Sequence, residues 1–149
     1  MTVKTFIRAF VSGALITGLF AGAAIAQTET EKSLYDLLGG KPAITAVVDE
    51  FVARVAADKR INAFFAHTDI AHLKMSLVDQ ICEASGGPCK YTGRTMKEAH
   101  RGMGISGADF NALVEDLVAA LDKFKVGKSE RDQILGVLGP MKKDIVEKK

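Results

Sequence analysis

Pro42-Ala43-Ile44-Thr45-Ala46-Val47-Val48-Asp49-Glu50-Phe51-Val52-Ala53-Arg54-Val55 is the stretch on which the fold class turns. Ile44, Val47, Val48, Phe51, Val52 and Val55 recur at spacings of three and four, the interval at which an α-helix returns to the same face. Pro42 stands where a first helical turn tolerates a residue without an N–H. The segment therefore reads as one amphipathic helix whose apolar face must find partners.

The flanking chain offers more helices. Upstream, Leu34 to Leu38 is a short helical piece stopped by Gly39-Gly40. Downstream, Ile61-Asn62-Ala63-Phe64-Phe65 leads to Thr68-Asp69, a cap for a helix running through Ile81 or beyond, with Ile70, Leu73, Leu77 and Ile81 on one stripe. His72 falls on the opposite face and His67 in the preceding loop, so both read as solvated. Between Gly93 and Gly107, glycines and serines surround a short helical piece, Thr95 to Arg101, which carries His100. A long helix from near Ser106 shows Phe110, Leu113, Val114, Leu117, Leu121 and Phe124 on one side. The last helix opens at Ser129, with Asp132 three residues on, and uses Ile134, Leu138, Met141 and Ile145; Pro140 is expected to kink it. No stretch alternates with period two, so the domain is all-α.

Residues 1–26 have a different character. Lys4 and Arg8 precede a mostly apolar run from Phe10 to Ile25, and Ala24-Ile25-Ala26 stands before the polar Gln27-Thr28-Glu29. That order is a secretory signal peptide with its cleavage pattern. The alternative, an uncleaved membrane anchor, is disfavoured because the run falls short of the roughly 20 residues needed to span a bilayer, and no stable membrane insertion is expected after cleavage. Residues 27–149 suit one domain, exported to the periplasm. Lys4 and Arg8 belong to the leader, which holds no acid, so residues 27–149 keep eighteen basic against eighteen acidic side chains. Without a basic stripe, nucleic acid is not an expected partner. Cys82 and Cys89 flank Gly86-Gly87-Pro88, a turn that could bring them together, and export favours a disulfide over two packed thiols.

Chemistry-bearing patterns are few. No phosphate-binding glycine loop, H-E-x-x-H, C-x-x-C or nucleophile elbow occurs, and the absence of C-x-x-C-H excludes covalent haem attachment at that motif. Asp49-Glu50 and Glu115-Asp116 lie on polar helix faces. What remains is His100 on its short helix and the pair Phe64-Phe65; from the residues alone, a lone histidine is more often structural than a ligand.

An ordered series of short strings adds to this. Ser33-Leu34-Tyr35-Asp36-Leu37-Leu38-Gly39-Gly40, Val48-Asp49-Glu50-Phe51, Asn62-Ala63-Phe64-Phe65, Gly86-Gly87-Pro88, Tyr91-Thr92-Gly93-Arg94, Met96-Lys97-Glu98-Ala99-His100 and Gly104-Ile105 resemble group I truncated haemoglobins in order and spacing. The resemblance implies a shortened globin, a two-over-two helical sandwich around non-covalent haem b (iron protoporphyrin IX), with His100 as the metal ligand. It sets Phe65 against the porphyrin with Phe64 beside it, and Leu73, Leu77 and Ile81 on the distal side. Met96, Ile105, Phe110 and Val114 close the proximal side and the pocket edge. Tyr91, Arg94 and Lys74 are the expected propionate partners.

The sequence also departs from the family's habit. Members commonly place a tyrosine after the phenylalanine of the first long helix and polar groups on the distal helix, to hydrogen-bond oxygen. Here those positions are Val52, Leu73 and Leu77. Two functions compete: a haem protein that reversibly binds diatomic gases (oxygen, nitric oxide, carbon monoxide), or an enzyme, a nitric oxide dioxygenase or peroxidase fed by an unidentified reductant. Apolar distal walls supply no acid or base for O–O cleavage, which weakens the peroxidase case. A helical binding or redox module built on Cys82 and Cys89 is the non-haem alternative.

Overall fold

Three helices begin where the sequence offers a hydroxyl and, three residues later, a carboxylate. Ser33 with Asp36, Thr95 with Glu98 and Ser106 with Asp109 each form a reciprocal capping box, which satisfies N–H groups that a helix start leaves open. The computed structural model describes residues 31–148, which lie within one unit, Glu31–Lys149. The signal peptide expected at 1–26 and its expected cleavage point lie outside the described residues. The helices are α1 (Leu34–Leu37), α2 (Gly40–Ala57), α3 (Ile70–Ala84), α4 (Met96–His100), α5 (Gly107–Lys123), α6 (Lys128–Leu138) and α7 (Lys142–Ile145), with 3-10 turns at Asn62–Phe65 and Gly139–Met141. Among the described residues no strand forms; one isolated bridge joins Ser106 to Lys148.

The helix read from Pro42–Val55 is the centre of the packing. It lies against both α3 and α5, and all six of its periodic apolar residues are buried. They join Val78, Ile81 and Cys82 of α3, Leu117, Ala120 and Leu121 of α5 and Ile134 of α6 in one core. A smaller cluster of Ile105, Phe110 and Ile145, with Met96, Met103 and Met141 against it, sits where α4 meets α7. No helix among the described residues is long and apolar enough to cross a membrane.

The C-terminal third differs from the sequence reading in three places. First, α6 begins at Lys128 with Gly127 at its cap and no side-chain cap bond; Ser129 lies within its first turn, accepting from Gln133 instead. Second, Pro140 ends the helix rather than kinking it, giving a 3-10 turn and then α7. Proline lacks the N–H that would bond Gly136 and its ring crowds that carbonyl. Third, Phe124 leaves the stripe and is exposed, because α5 stops at Lys123 and Lys125 turns the chain through the left-handed region at φ 55°.

Candidate functional site

α3 carries two apolar stripes where the sequence reading identified one. Val78 and Cys82 point into the core with α2, while Ile70, Leu73, Leu77 and Ile81 line a cavity of about 330 Å³. The second stripe borders this space, with residues of α5 also lining it. α2 contributes Phe51, Val52 and Val55 to the wall, the 61–68 turn contributes Ile61, Phe64, Phe65 and Thr68, and Met96 and His100 enter from α4. Ile105, Phe110, Val114, Leu117, Met141 and Ile145 complete the far side.

His100 ends α4, and its Nδ1 stands 2.8 Å from the Met96 carbonyl oxygen one turn back. A carbonyl can only accept, so Nδ1 carries the proton and Nε2 presents its lone pair. No hydrogen-bond partner of Nε2 occurs among the described residues. An imidazole on a cavity wall, its tautomer set by a backbone carbonyl, is the arrangement of a metal-ligating histidine. His67 and His72 are exposed and stand off the cavity.

Besides His100, the polar residues of the lining are Thr68, Ser76, Gln80, Tyr91, Arg94 and Asp109. Tyr91 and Arg94 line the cavity, and the Tyr91 hydroxyl donates to the Arg94 carbonyl at 2.7 Å while its backbone N–H donates to Glu83 at 3.0 Å. Arg94 and Thr68 are exposed, which marks the mouth. Lys74 does not join them: its ammonium pairs with Asp49 of α2 at 2.9 Å, outside the lining residues. Position 74 is one step along α3 from Leu73, about 100° off the cavity stripe, which is why this expected propionate partner falls elsewhere. Ser76, three residues after Leu73, takes the cavity-facing place.

Gln80 also lines the cavity, and its amide lies 3.6 Å from the Met96 sulfur and 3.5 Å from the Met141 sulfur, linking α3 to α4 and to the turn before α7. Of the lining residues that the sequence reading did not name as site residues, Ser76 was signalled by its i+3 relation to Leu73. Met141 was legible only as an apolar position of the last helix, and Met103 had no local signal. Cys82 and Cys89 are joined by a disulfide, which ties the end of α3 to the segment leading to Tyr91. Gly87 lies in the turn between them because a side chain there would meet Tyr35 Cδ2 at 2.5 Å and Cys82 Sγ at 2.7 Å.

An apolar slot, an imidazole with a free Nε2, and an arginine, a tyrosine and hydroxyls at the mouth fit a flat, largely apolar metal macrocycle with an anionic edge. Among the described residues no cluster of three or more His, Cys, Asp or Glu side chains forms that could hold a metal alone.

Residues 33–147 match the family model described as bacterial-like globin. A group 1 truncated haemoglobin of Mycolicibacterium paratuberculosis is 37% identical over 113 residues, covering 76% of this chain and 83% of the relative. The crystal structure of truncated haemoglobin from Tetrahymena pyriformis in its Fe(III) form superposes with a TM-score of 0.75 at 34% identity, covering 78% of this chain and 100% of the other. The 2/2 haemoglobin of Synechococcus sp. PCC 7002, a cyanomet structure with covalently attached haem, gives a TM-score of 0.73 at 33% identity, covering 77% and 98%.

Proposed function

This chain belongs to the bacterial-like globin family, among the group 1 truncated haemoglobins, and from that premise we propose that it holds haem b non-covalently through His100 and binds diatomic gases in an exported compartment. Haem iron supplies reversible binding of oxygen, nitric oxide or carbon monoxide; the chain supplies the ligand, the cavity and the distal surroundings. The observation that carries the reading is the His100 Nδ1 bond to the Met96 carbonyl on the wall of the cavity.

A neutral carbonyl acceptor leaves the imidazole a neutral donor. A carboxylate in that place would draw the Nδ1 proton and raise the ligand's basicity. Opposite, Val52, Leu73 and Leu77 have neither donor nor acid, so no side chain there moves a proton to a reacting oxygen. Both features favour ligand binding over peroxide turnover. Arg94, Tyr91, Thr68 and Ser76 are the groups to hold the propionates. Non-covalent attachment is supported by the side chains on hand: both cysteines are in a disulfide, and His67 and His72 are off the cavity. The leader at 1–26 and the disulfide both favour an oxidising destination, the periplasm.

Absorption spectra of the purified chain, oxidised and reduced, with and without carbon monoxide, test this directly. His100→Ala should lose five-coordinate ferrous haem unless imidazole is added, and His72→Ala should keep it. Loss in His72→Ala with retention in His100→Ala would overturn the assignment.

A further inference from the structure

We infer that Glu147 is a positioning residue for the proximal histidine, its carboxylate clasping the loop that leaves His100 and so setting the imidazole's orientation. This rests on the reading of His100 as the haem ligand.

α4 is five residues long, too short to hold its own geometry. Its last residue is His100, and the chain then passes through Gly102 and Gly104, both in the left-handed region at φ 78° and 66°. Such a loop is loose unless something outside it fixes it. Glu147 does so with both carboxylate oxygens: Gly102 donates its N–H to Oε1 at 2.7 Å and Gly104 to Oε2 at 2.6 Å. Left-handed glycines turn two amides toward one anion, the geometry of a backbone nest. The backbone closes the clasp, since Glu147 and Lys148 both donate to the Ile105 carbonyl at 2.9 and 3.0 Å.

Ile105 is itself buried and lines the cavity, so the clasped loop is pinned at both ends of a five-residue path from His100. The two amides hold the Glu147 carboxyl below the usual carboxylate range, which keeps the bonds charge-assisted. A glutamate placed only to solvate the surface would not spend both oxygens on the backbone of one glycine loop.

The test uses the haem-loaded chain, wild type against Glu147→Ala and Glu147→Gln, with resonance Raman of the iron–imidazole stretch in the unliganded ferrous form. Glu147→Ala is expected to shift and broaden that band with its far-ultraviolet dichroism unchanged, and to pass haem to excess apomyoglobin on the order of tenfold faster. Glu147→Gln, with one acceptor oxygen for two amides, should fall between. A purely structural glutamate would change unfolding but leave the band of the folded protein in place, so an unchanged band in Glu147→Ala overturns the inference. Amide exchange on the wild type covers the case in which the variant does not fold: Gly102 and Gly104 should be protected relative to Thr92 and Gly93, and equal exchange overturns the clasp. If wild type shows no iron–imidazole band that His100→Ala removes, the ligand assignment has failed, whatever the amides show.

Discussion

At Val52, Leu73 and Leu77 the cavity is faced by carbon alone. Gln80 also lines the cavity, and its amide N–H groups are engaged with the sulfurs of Met96 and Met141. Oxygen binding develops charge that a hydrogen bond stabilises, whereas carbon monoxide develops little. Oxygen should therefore leave quickly, and Val52→Tyr should slow its release about ten- to a hundredfold, the equivalent of one bond to a partly charged group. Carbon monoxide release should barely change. Stopped-flow ligand displacement on both proteins decides this; slow release from wild type, unaltered in Val52→Tyr, would mean that Ser76 or Thr68 supplies a donor. A second residue-scale effect lies on α5. One Asp116 oxygen is buried without a hydrogen-bond partner, and burial, with Asp58 nearby, raises its pKa against the pull of Arg60 and Arg54. The folded chain thus holds this proton more tightly than the unfolded one, so the site's contribution to stability grows as pH falls between the ordinary aspartate value and the raised one. Asp116→Asn should raise the thermal midpoint at pH 7, and the advantage should close as wild type protonates on acidification.

Among the elements, α3 couples fold to function, because one stripe holds it in the core and the other lines the cavity. Its end is fixed by the Cys82–Cys89 bridge, with Gly87 donating to the Cys82 carbonyl at 2.7 Å inside the loop. Reduction of the disulfide should lower stability by about 2–3 kcal/mol, read as a shift in denaturant midpoint with and without reductant. Gly87→Ala adds a Cβ within 2.8 Å of Tyr35, the Cys82 sulfur and the Cys82 carbonyl. It should cost roughly 1–3 kcal/mol through crowding. If alanine is accommodated at no cost, the turn is looser than its contacts require.

On the scale of the whole molecule, residues 1–26, proposed as a leader, carry the excess of basic charge, and 27–149 are formally balanced, so net charge supplies no steering field there. Expressed with its leader in a bacterium with a periplasm, the chain should be recovered from that compartment beginning at Gln27. Intact mass and N-terminal sequence check this; a full-length chain in the membrane fraction would show instead that the apolar run stays as an anchor. Thiol titration of the same material under denaturing, non-reducing conditions should find no free cysteine.

Periodicity alone determined that the described chain is helical, and it located α2, α3 and α5 closely, because long amphipathic faces override local ambiguity. The capping reading held at Asp69 and failed at Ser129, where Gly127 stands at the cap instead. His100 was legible as a candidate because it is the one histidine on a short helix between core-facing ones, although only its ordered neighbours distinguished ligand from structural residue. The helical period already set Ser76 with Leu73 and Lys74 about 100° away, but local sequence could not tell that Asp49 of α2 would be the group to pair with Lys74. Nor could it tell that α3 has two buried faces, that Pro140 breaks rather than bends, or that Glu147 closes on glycines more than forty positions earlier in the chain. Each depends on atoms distant in sequence, and their proximity exists only once α2 has gathered α3 and α5 and the tail has folded back over α4.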